Sequence, residues 1–136
     1  MKFLKKLTVR VLQLENNTLS GKIRSNLSAC INLEVLHFSF NLLTREIPAT
    51  LGTLSKFQDF YIPRNNLTGS IPPFFRNLSF LEVFGVAENN LNGIIPDSFG
   101  QLTKLSYFLV EENRLSGTIP PSIFNLSSLT IFDVGL

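Results

Sequence analysis

The fold is decided by the stretch at residues 81–104, which reads LEVFGVAENNLNGIIPDSFGQLTK. The same frame returns along the chain at intervals of 24 residues, and its most regular element is an asparagine. That asparagine stands at Asn17, Asn41, Asn65, Asn89 and Asn113. A fixed period between about 20 and 50 residues indicates stacked units that bury their apolar faces against one another. The chain is therefore predicted to be an elongated array that offers a binding surface along its length.

The sequence pattern of each unit predicts one strand, one turn and one outer connection. Apolar and outward positions alternate over residues 83–87, which is the pattern of a half-buried strand. A buried Asn89 at the end of the strand is expected to bond the backbone of the turn and of the next unit, so that the repeated asparagines form a ladder. A turn is predicted at residues 90–93, and apolar residues at every third position over residues 99–105 favour short 3₁₀ turns. Stacking then places six strands in a parallel inner sheet, with a concave open face.

Composition limits the classes of function that fit. The 136 residues are 44% hydrophobic and have the size of one domain. A net charge of +2 is too small to favour nucleic-acid binding. Up to Arg64 the chain has nine Lys and Arg against four Asp and Glu, whereas the remainder has three against six. The second half is therefore expected to suit a basic partner.

The single cysteine and the first residues say little about compartment. Cys30 excludes an internal disulfide, and since it occupies a leucine position of the frame, it is expected to be a buried hydrophobe. Residues 1–7 are basic like a targeting segment, but no apolar run of signal-peptide length follows them. No stretch approaches the roughly 20 apolar residues of a membrane span. The chain is thus expected to lack its own export or anchoring signal.

The frame resembles the plant-specific leucine-rich repeat from about Val9 to Leu136. The most specific part of the resemblance is the Gly-x-Ile-Pro segment, which stands at residues 69–72, 93–96 and 117–120. Such repeats are similar to those in ectodomains of plant receptor-like serine/threonine kinases. The sequence of residues 125–129 looks most like the repeats of receptor kinases that sense microbial peptides. The resemblance implies an α/β repeat fold, a right-handed leucine-rich repeat solenoid that forms a horseshoe segment. It spans residues 1–136 as one domain of about five repeats plus a terminal strand.

The resemblance also implies a function. The chain is expected to recognise a peptide or protein, with a co-receptor as a possible second partner, in defence or developmental signalling. It would lie on the extracellular face of the plasma membrane as part of a full-length parent, and it would not itself be an enzyme. The sequence contains no catalytic constellation. Asp97-Ser98-Phe99-Gly100 is superficially similar to the kinase Asp-Phe-Gly motif, but it has an extra serine and lies inside a repeat. Neither a metal nor a cofactor is expected, and neither is nucleic acid as a partner.

The sequence departs from the plant pattern in several places. Arg24 replaces the proline of the first unit and Arg45 the glycine of the second, so those turns are expected to be less regular. The paired-cysteine caps, a membrane helix and a kinase domain are all missing, which favours an internal piece of a receptor or a truncated gene product. The alternatives left open are a secreted polygalacturonase-inhibitor-like protein, a receptor-like protein without a kinase, an intracellular scaffold and a non-functional gene fragment.

The outward positions of the inner strands are the predicted ligand site, because the frame does not dictate their identity. Tyrosines supply rigid contact area of the kind found in binding hot spots, and the acidic side chains suit a basic partner. His37 is the only histidine, and surface exposure is its default interpretation, with ligand contact or pH sensing as the alternative. The ligand-binding candidates are His37, Asp59, Tyr61, Arg64, Glu88, Tyr107, Leu109, Glu111 and Asp133.

Five Asn-x-Ser/Thr triplets are candidate glycosylation sites in an exported chain. Their asparagines fall at variable positions of the frame, which favours exposure, although Asn, Ser and Thr are also common turn residues. The candidates are Asn16, Asn26, Asn66, Asn77 and Asn125.

Overall fold

A six-stranded parallel sheet forms the inner side of the protein. The structure, a computed structural model, describes residues 8–135, apart from the side chain of Phe74; the basic segment at residues 1–7 and Leu136 lie outside the described residues. Each strand residue pairs with the residue 24 positions further on, as Leu36 does with Phe60. The predicted solenoid with one inner strand per unit is confirmed. The strands are β1 (Val11–Gln13), β3 (Val35–His37), β5 (Asp59–Tyr61), β7 (Val83–Gly85), β9 (Tyr107–Leu109) and β11 (Ile131–Asp133).

Shorter strands form a second layer after each asparagine turn. They make one three-stranded and one two-stranded parallel sheet, which are linked by a bridge between Ser70 and Asn92. The predicted turn at residues 90–93 is shorter than expected, because a strand already begins at Asn92. These strands are β2 (Ser20–Lys22), β4 (Leu42–Arg45), β6 (Asn66–Leu67), β8 (Asn92–Ile94) and β10 (Arg114–Ser116).

Five short 3₁₀ helices form the outer side of the part that the structure describes. In the second, the Leu54 N–H closes the helix by donating to the Leu51 carbonyl, and the other four end in the same way. The three-residue spacing of the apolar side chains correctly predicted these turns, because 3₁₀ geometry places every third residue on one face. The helices span Ser25–Ala29, Ala49–Thr53, Pro73–Asn77, Asp97–Gln101 and Pro121–Asn125.

A pile of phenylalanine rings fills the space between the inner sheet and the 3₁₀ helices. The rings of Phe60, Phe84, Phe108 and Phe132 stack one unit apart, with centroid separations of 5.7, 5.7 and 5.5 Å. Offset stacking of this kind adds to the stabilisation from burial alone. Cys30 is 2% exposed in the same core, and burial raises the pKa of its thiol, as expected for a structural cysteine.

The repeated asparagines connect each unit to the one before it. The Oδ1 atom of Asn65 accepts the Leu43 N–H at 3.0 Å, and its Nδ2 atom donates to the Phe38 carbonyl at 2.9 Å. Both partners belong to the preceding unit, whereas the sequence predicted bonds to the next one. Asn17 is exposed and donates only to the Leu14 and Glu15 carbonyls among the described residues. The same connection to the preceding unit is made by Asn41, Asn89 and Asn113.

The two arginine replacements leave the turns regular, contrary to expectation. Arg24 has φ −78° and ψ 134° at the start of its 3₁₀ helix, close to the −64° and 125° of Pro48. Arg45 has φ +68° inside β4, where the other units place glycines at φ +77° to +80°. The stacked neighbours therefore impose the frame on Arg45 at the cost of backbone strain.

Candidate functional site

A row of contacting side chains crosses the concave face, which is the open side of the six-stranded sheet. Gln13 Nε2 lies 3.3 Å from His37 Nδ1, and His37 Nε2 lies 3.7 Å from Asp59 Oδ2. The His37 and Tyr61 rings meet edge to face with centroids 5.5 Å apart. The register of the sheet aligns Gln13, His37, Tyr61 and Gly85 on successive strands, and these four residues form the central row.

Gly85 allows the Tyr61 ring to lie across the next strand. A Cβ atom built on Gly85 would stand closer to Tyr61 Cδ2 than real Cβ atoms ever approach a neighbour. The ring is therefore held between the His37 edge on one side and the Gly85 backbone on the other. A tyrosine fixed in this way presents contact area to a ligand with little conformational entropy left to lose.

A second row runs parallel to the first, at the residue that precedes each ladder asparagine. The Arg64 guanidinium lies 4.6 Å from the centroid of the Phe40 ring, and Arg64 Nε donates to Glu88 Oε1 at 2.6 Å. The bond to Glu88 raises the pKa of Arg64. The edge row is therefore Phe40, Arg64 and Glu88, and it spans three adjacent units.

Small residues lie between the two rows. Ser39 is 7% exposed and Ala87 is 5% exposed, and Pro63 between them is also buried. These residues lie two positions beyond the ends of β3, β5 and β7, between the positions of the central row and those of the edge row. We call this strip, bounded by the central row and the edge row, the trough.

The trough leads toward a group of acidic side chains in the second half of the chain. Glu111 Oε2 is buried and accepts no hydrogen bond from any residue in the described part. Burial raises the pKa of Glu111, and the neighbouring charges of Asp133, Glu112 and Glu88 raise it further. At neutral pH this end of the trough therefore favours a positively charged group.

The structure places the remaining candidates around this trough. Tyr107 is 41% exposed and Leu109 is half-buried on the neighbouring strand β9, beyond Gly85. All nine predicted ligand residues thus lie on or beside the concave face. At the other end, Arg10 makes a two-bond pair with Glu34, with Nε–Oε1 at 2.9 Å and Nη2–Oε2 at 3.0 Å. That pair lowers the pKa of Glu34.

Sequence reasoning missed Phe40 and the part played by Gly85. Phe40 belongs to the column of residues that precede the ladder asparagines, and all five members have positive φ. Aligning that column at the 24-residue period could have identified it, because its members are Asn16, Phe40, Arg64, Glu88 and Glu112.

The five sequon asparagines are all exposed, and none belongs to the trough. Asn26, Asn77 and Asn125 lie on 3₁₀ helices, Asn66 lies in β6, and Asn16 lies at the turn after β1. Within residues 8–135, no group of three His, Cys, Asp or Glu side chains is arranged to hold a metal ion. No helix among the same residues has the length and apolarity required to cross a membrane.

Comparison with known proteins agrees with this architecture. Leucine-rich repeat family patterns match residues 32–54 and 55–115. No curated protein sequence matches the chain significantly. Among solved structures, the ectodomain of the Arabidopsis thaliana membrane receptor kinase GASSHO1/SCHENGEN3, in complex with CASPARIAN STRIP INTEGRITY FACTOR 2, superposes with a TM-score of 0.91 and 36% identity. That match covers 93% of this chain and 15% of the receptor chain.

Two other Arabidopsis structures are similar. The receptor kinase HAESA, in complex with the peptide hormone IDA and the co-receptor SERK1, matches with a TM-score of 0.91 and 28% identity over 93% of this chain and 21% of its own. A chain of the BIR3–SERK2 complex matches with a TM-score of 0.78 and 30% identity over 90% of this chain and 68% of its own. The chain belongs to the leucine-rich repeat family. Within it, the fold is that of plant receptor kinase ectodomains, and the chain spans 15% and 21% of the first two receptors.

Proposed function

We propose that this chain is a ligand-recognition segment of a plant receptor ectodomain and that it binds an extended peptide along the trough. The observation that carries the proposal is the pair of rows in which side chains from successive units hold one another in place. Preorganised side chains give up little entropy on binding, which is the condition for a strong contact surface. Three strand spacings cover about 14 Å, enough for roughly four extended residues.

The chemistry of the trough suggests the peptide it would take. Tyr61 and His37 offer aromatic surface to an apolar side chain, and the small floor at Ala87 admits close approach of a backbone. Arg64 and Glu88 already neutralise one another, so they would fix the orientation of the bound peptide more than they would attract its charged groups. Glu111 and Asp133 would pair with a Lys or Arg of the ligand beyond the aromatic part.

The comparisons support this role without assigning the ligand. HAESA, one of the similar receptors, is in complex with a peptide hormone and a co-receptor. By analogy we propose a secreted peptide as ligand, a co-receptor as second partner, and an extracellular location on a plasma-membrane receptor. The output would be a developmental or a defence response. Glycosylation of Asn26, Asn77 and Asn125, which lie on the 3₁₀ helices, would leave the trough accessible.

Selection of peptides from a random twelve-residue display library against residues 1–136 would test the proposal. Tyr61→Ala should weaken binding of the selected peptides by at least about tenfold, as loss of a hot-spot aromatic does. Gly85→Ala should also weaken it, because the new Cβ displaces the Tyr61 ring from its position although the tyrosine itself is kept. Gln101→Ala, on the outer side, should leave affinity unchanged. Peptides that lose affinity with Gln101→Ala, and keep it with the other two variants, would contradict the proposal.

A further inference from the structure

A second concavity lies on a different side of the molecule from the trough. It is a groove of about 640 Å³ between the second-layer strands and the 3₁₀ helices of the first three units. Its lining includes the buried side chains of Ile47 and Pro72 together with the small residues Ala49 and Ser70. None of the described residues that line it is aromatic. The lining is mixed, with apolar side chains beside small and polar ones, and a groove of this kind can accommodate an extended chain.

Two unneutralised cations line this groove. Lys22 and Arg45 are both exposed, and neither forms an ion pair or a side-chain hydrogen bond within residues 8–135. Lys22 pairs with Thr44 across the second layer, so the Cα atoms of Lys22 and Arg45 are about 6 Å apart. The described lining also contains the carboxylate of Glu46, whose side chain lies over Gly69 in the third unit. The groove is thus positively charged at its first two units.

Arg45 has an unfavourable backbone conformation at this groove. It has φ +68°, in a column where the other four units have glycine with φ between +77° and +80°. Four glycines show that the frame itself calls for glycine there, because side chains disfavour this backbone conformation. Arg45 therefore keeps a strained arrangement that places a guanidinium at the groove, and strain of this kind is concentrated at functional sites.

We propose that this groove is a docking site for an acidic, extended peptide segment of a partner protein, separate from the ligand trough. Carboxylates of the segment pair with Lys22 and Arg45, and its intervening small or apolar side chains pack against Ile47 and Pro72. Arg45 can hold a carboxylate with two parallel N–H bonds, which gives direction as well as charge. A sugar acid would supply the same charge, but sugar rings pack best on aromatic side chains, and none of the described lining residues has one.

Three fluorescent probes with the same number of charges would test the groove by anisotropy. They are an octapeptide alternating Asp and Val, its positively charged Lys-for-Asp counterpart and a negatively charged oligogalacturonic acid. The acidic peptide should bind, and the basic peptide should not. Arg45→Gly and Lys22→Ala should each weaken acidic-peptide binding by about tenfold, as expected for a lost charge-assisted bond. Arg114→Ala removes a cation from β10, outside the groove, and should change affinity by less than about twofold.

Thermal melting separates this docking role from a structural one. Arg45→Gly should melt at a higher temperature than the native chain while it binds the acidic peptide less well, which a variant with damaged folding would not do. The proposal is overturned if the acidic peptide fails to saturate, if Arg114→Ala weakens it as much as Arg45→Gly, or if the sugar acid binds more tightly than the peptide.

Discussion

Removal of one rung of the asparagine ladder has an energetic cost that can be worked out atom by atom. In Asn65→Ala, the carbonyls of Phe38, Ile62 and Pro63 each lose one donor. Each keeps another: Phe38 from Asn41 Nδ2, Ile62 from Asn89 Nδ2, and Pro63 from the Phe40 N–H. The group left without a partner is the buried N–H of Leu43, which bonds Asn65 Oδ1 at 3.0 Å.

One buried N–H without a partner costs about 1–3 kcal/mol, which sets the expected loss of unfolding free energy for Asn65→Ala. The neighbouring Asn66 is exposed and its side chain makes no hydrogen bond within residues 8–135, so Asn66→Ala should cost less than about 0.5 kcal/mol. Asn65→Asp keeps the acceptor for the Leu43 N–H but turns a carboxylate oxygen toward the carbonyls that Asn65 Nδ2 bonds. This variant should therefore also lower the free energy of unfolding.

Urea unfolding followed by circular dichroism measures all three variants, provided that the m-value stays constant. Asn17→Ala supplies a further control, because Asn17 is exposed and accepts no bond within residues 8–135. Equal losses in Asn65→Ala and Asn66→Ala would refute the ladder argument, and so would a loss in Asn17→Ala as large as that in Asn65→Ala.

Three other substitutions test the core, the strained turn and the acidic end. Phe84→Ala should cost about 3–5 kcal/mol in urea unfolding, since its ring stacks between Phe60 and Phe108; a cost below about 1 kcal/mol would contradict the ring pile. Arg45→Gly should stabilise the fold by about 1 kcal/mol by removing strain at φ +68°; a lower melting temperature would show that the strain argument is wrong. Burial raises the pKa of Glu111 above its usual 4.5, so the folded state holds this proton more tightly than the unfolded chain does. Stability contributed by the protonated carboxyl is therefore lost as pH rises through that raised pKa, and Glu111→Gln should gain stability relative to the native chain between pH 4 and pH 7; an unchanged difference across that range would contradict the assignment.

The sequence predicted the parts of the structure that the repeat frame dictates. The period located every inner strand and every 3₁₀ helix, because each unit must present the same apolar positions to its neighbours. It failed at Arg45, for which an irregular turn was expected. Stacking between units on both sides outweighs the conformational preference of one residue, so Arg45 adopts the backbone that glycine adopts elsewhere.

The candidate site could be predicted only in outline. The outward strand positions follow from alternation, and all nine predicted ligand residues lie on or beside the concave face. Contacts among these residues depend on how far each side chain extends over the neighbouring strand. The sequence of a single unit does not give that information, because the neighbouring strand belongs to another unit. Tyr61 can lie on Gly85 only because the residue 24 positions later has no side chain, and the Phe40–Arg64 contact likewise joins two units. Comparing columns rather than units exposes such pairs.

The most direct test of peptide recognition in the trough is an NMR titration of the isotope-labelled chain with a selected peptide. The largest amide shifts should occur on β3, β5, β7 and β9, and the Tyr61 ring signals should move with them. Amides of the 3₁₀ helices on the outer side should stay within experimental error. Shifts concentrated on those helices, with Tyr61 and the inner strands unchanged, would contradict the claim that the concave face is the ligand site.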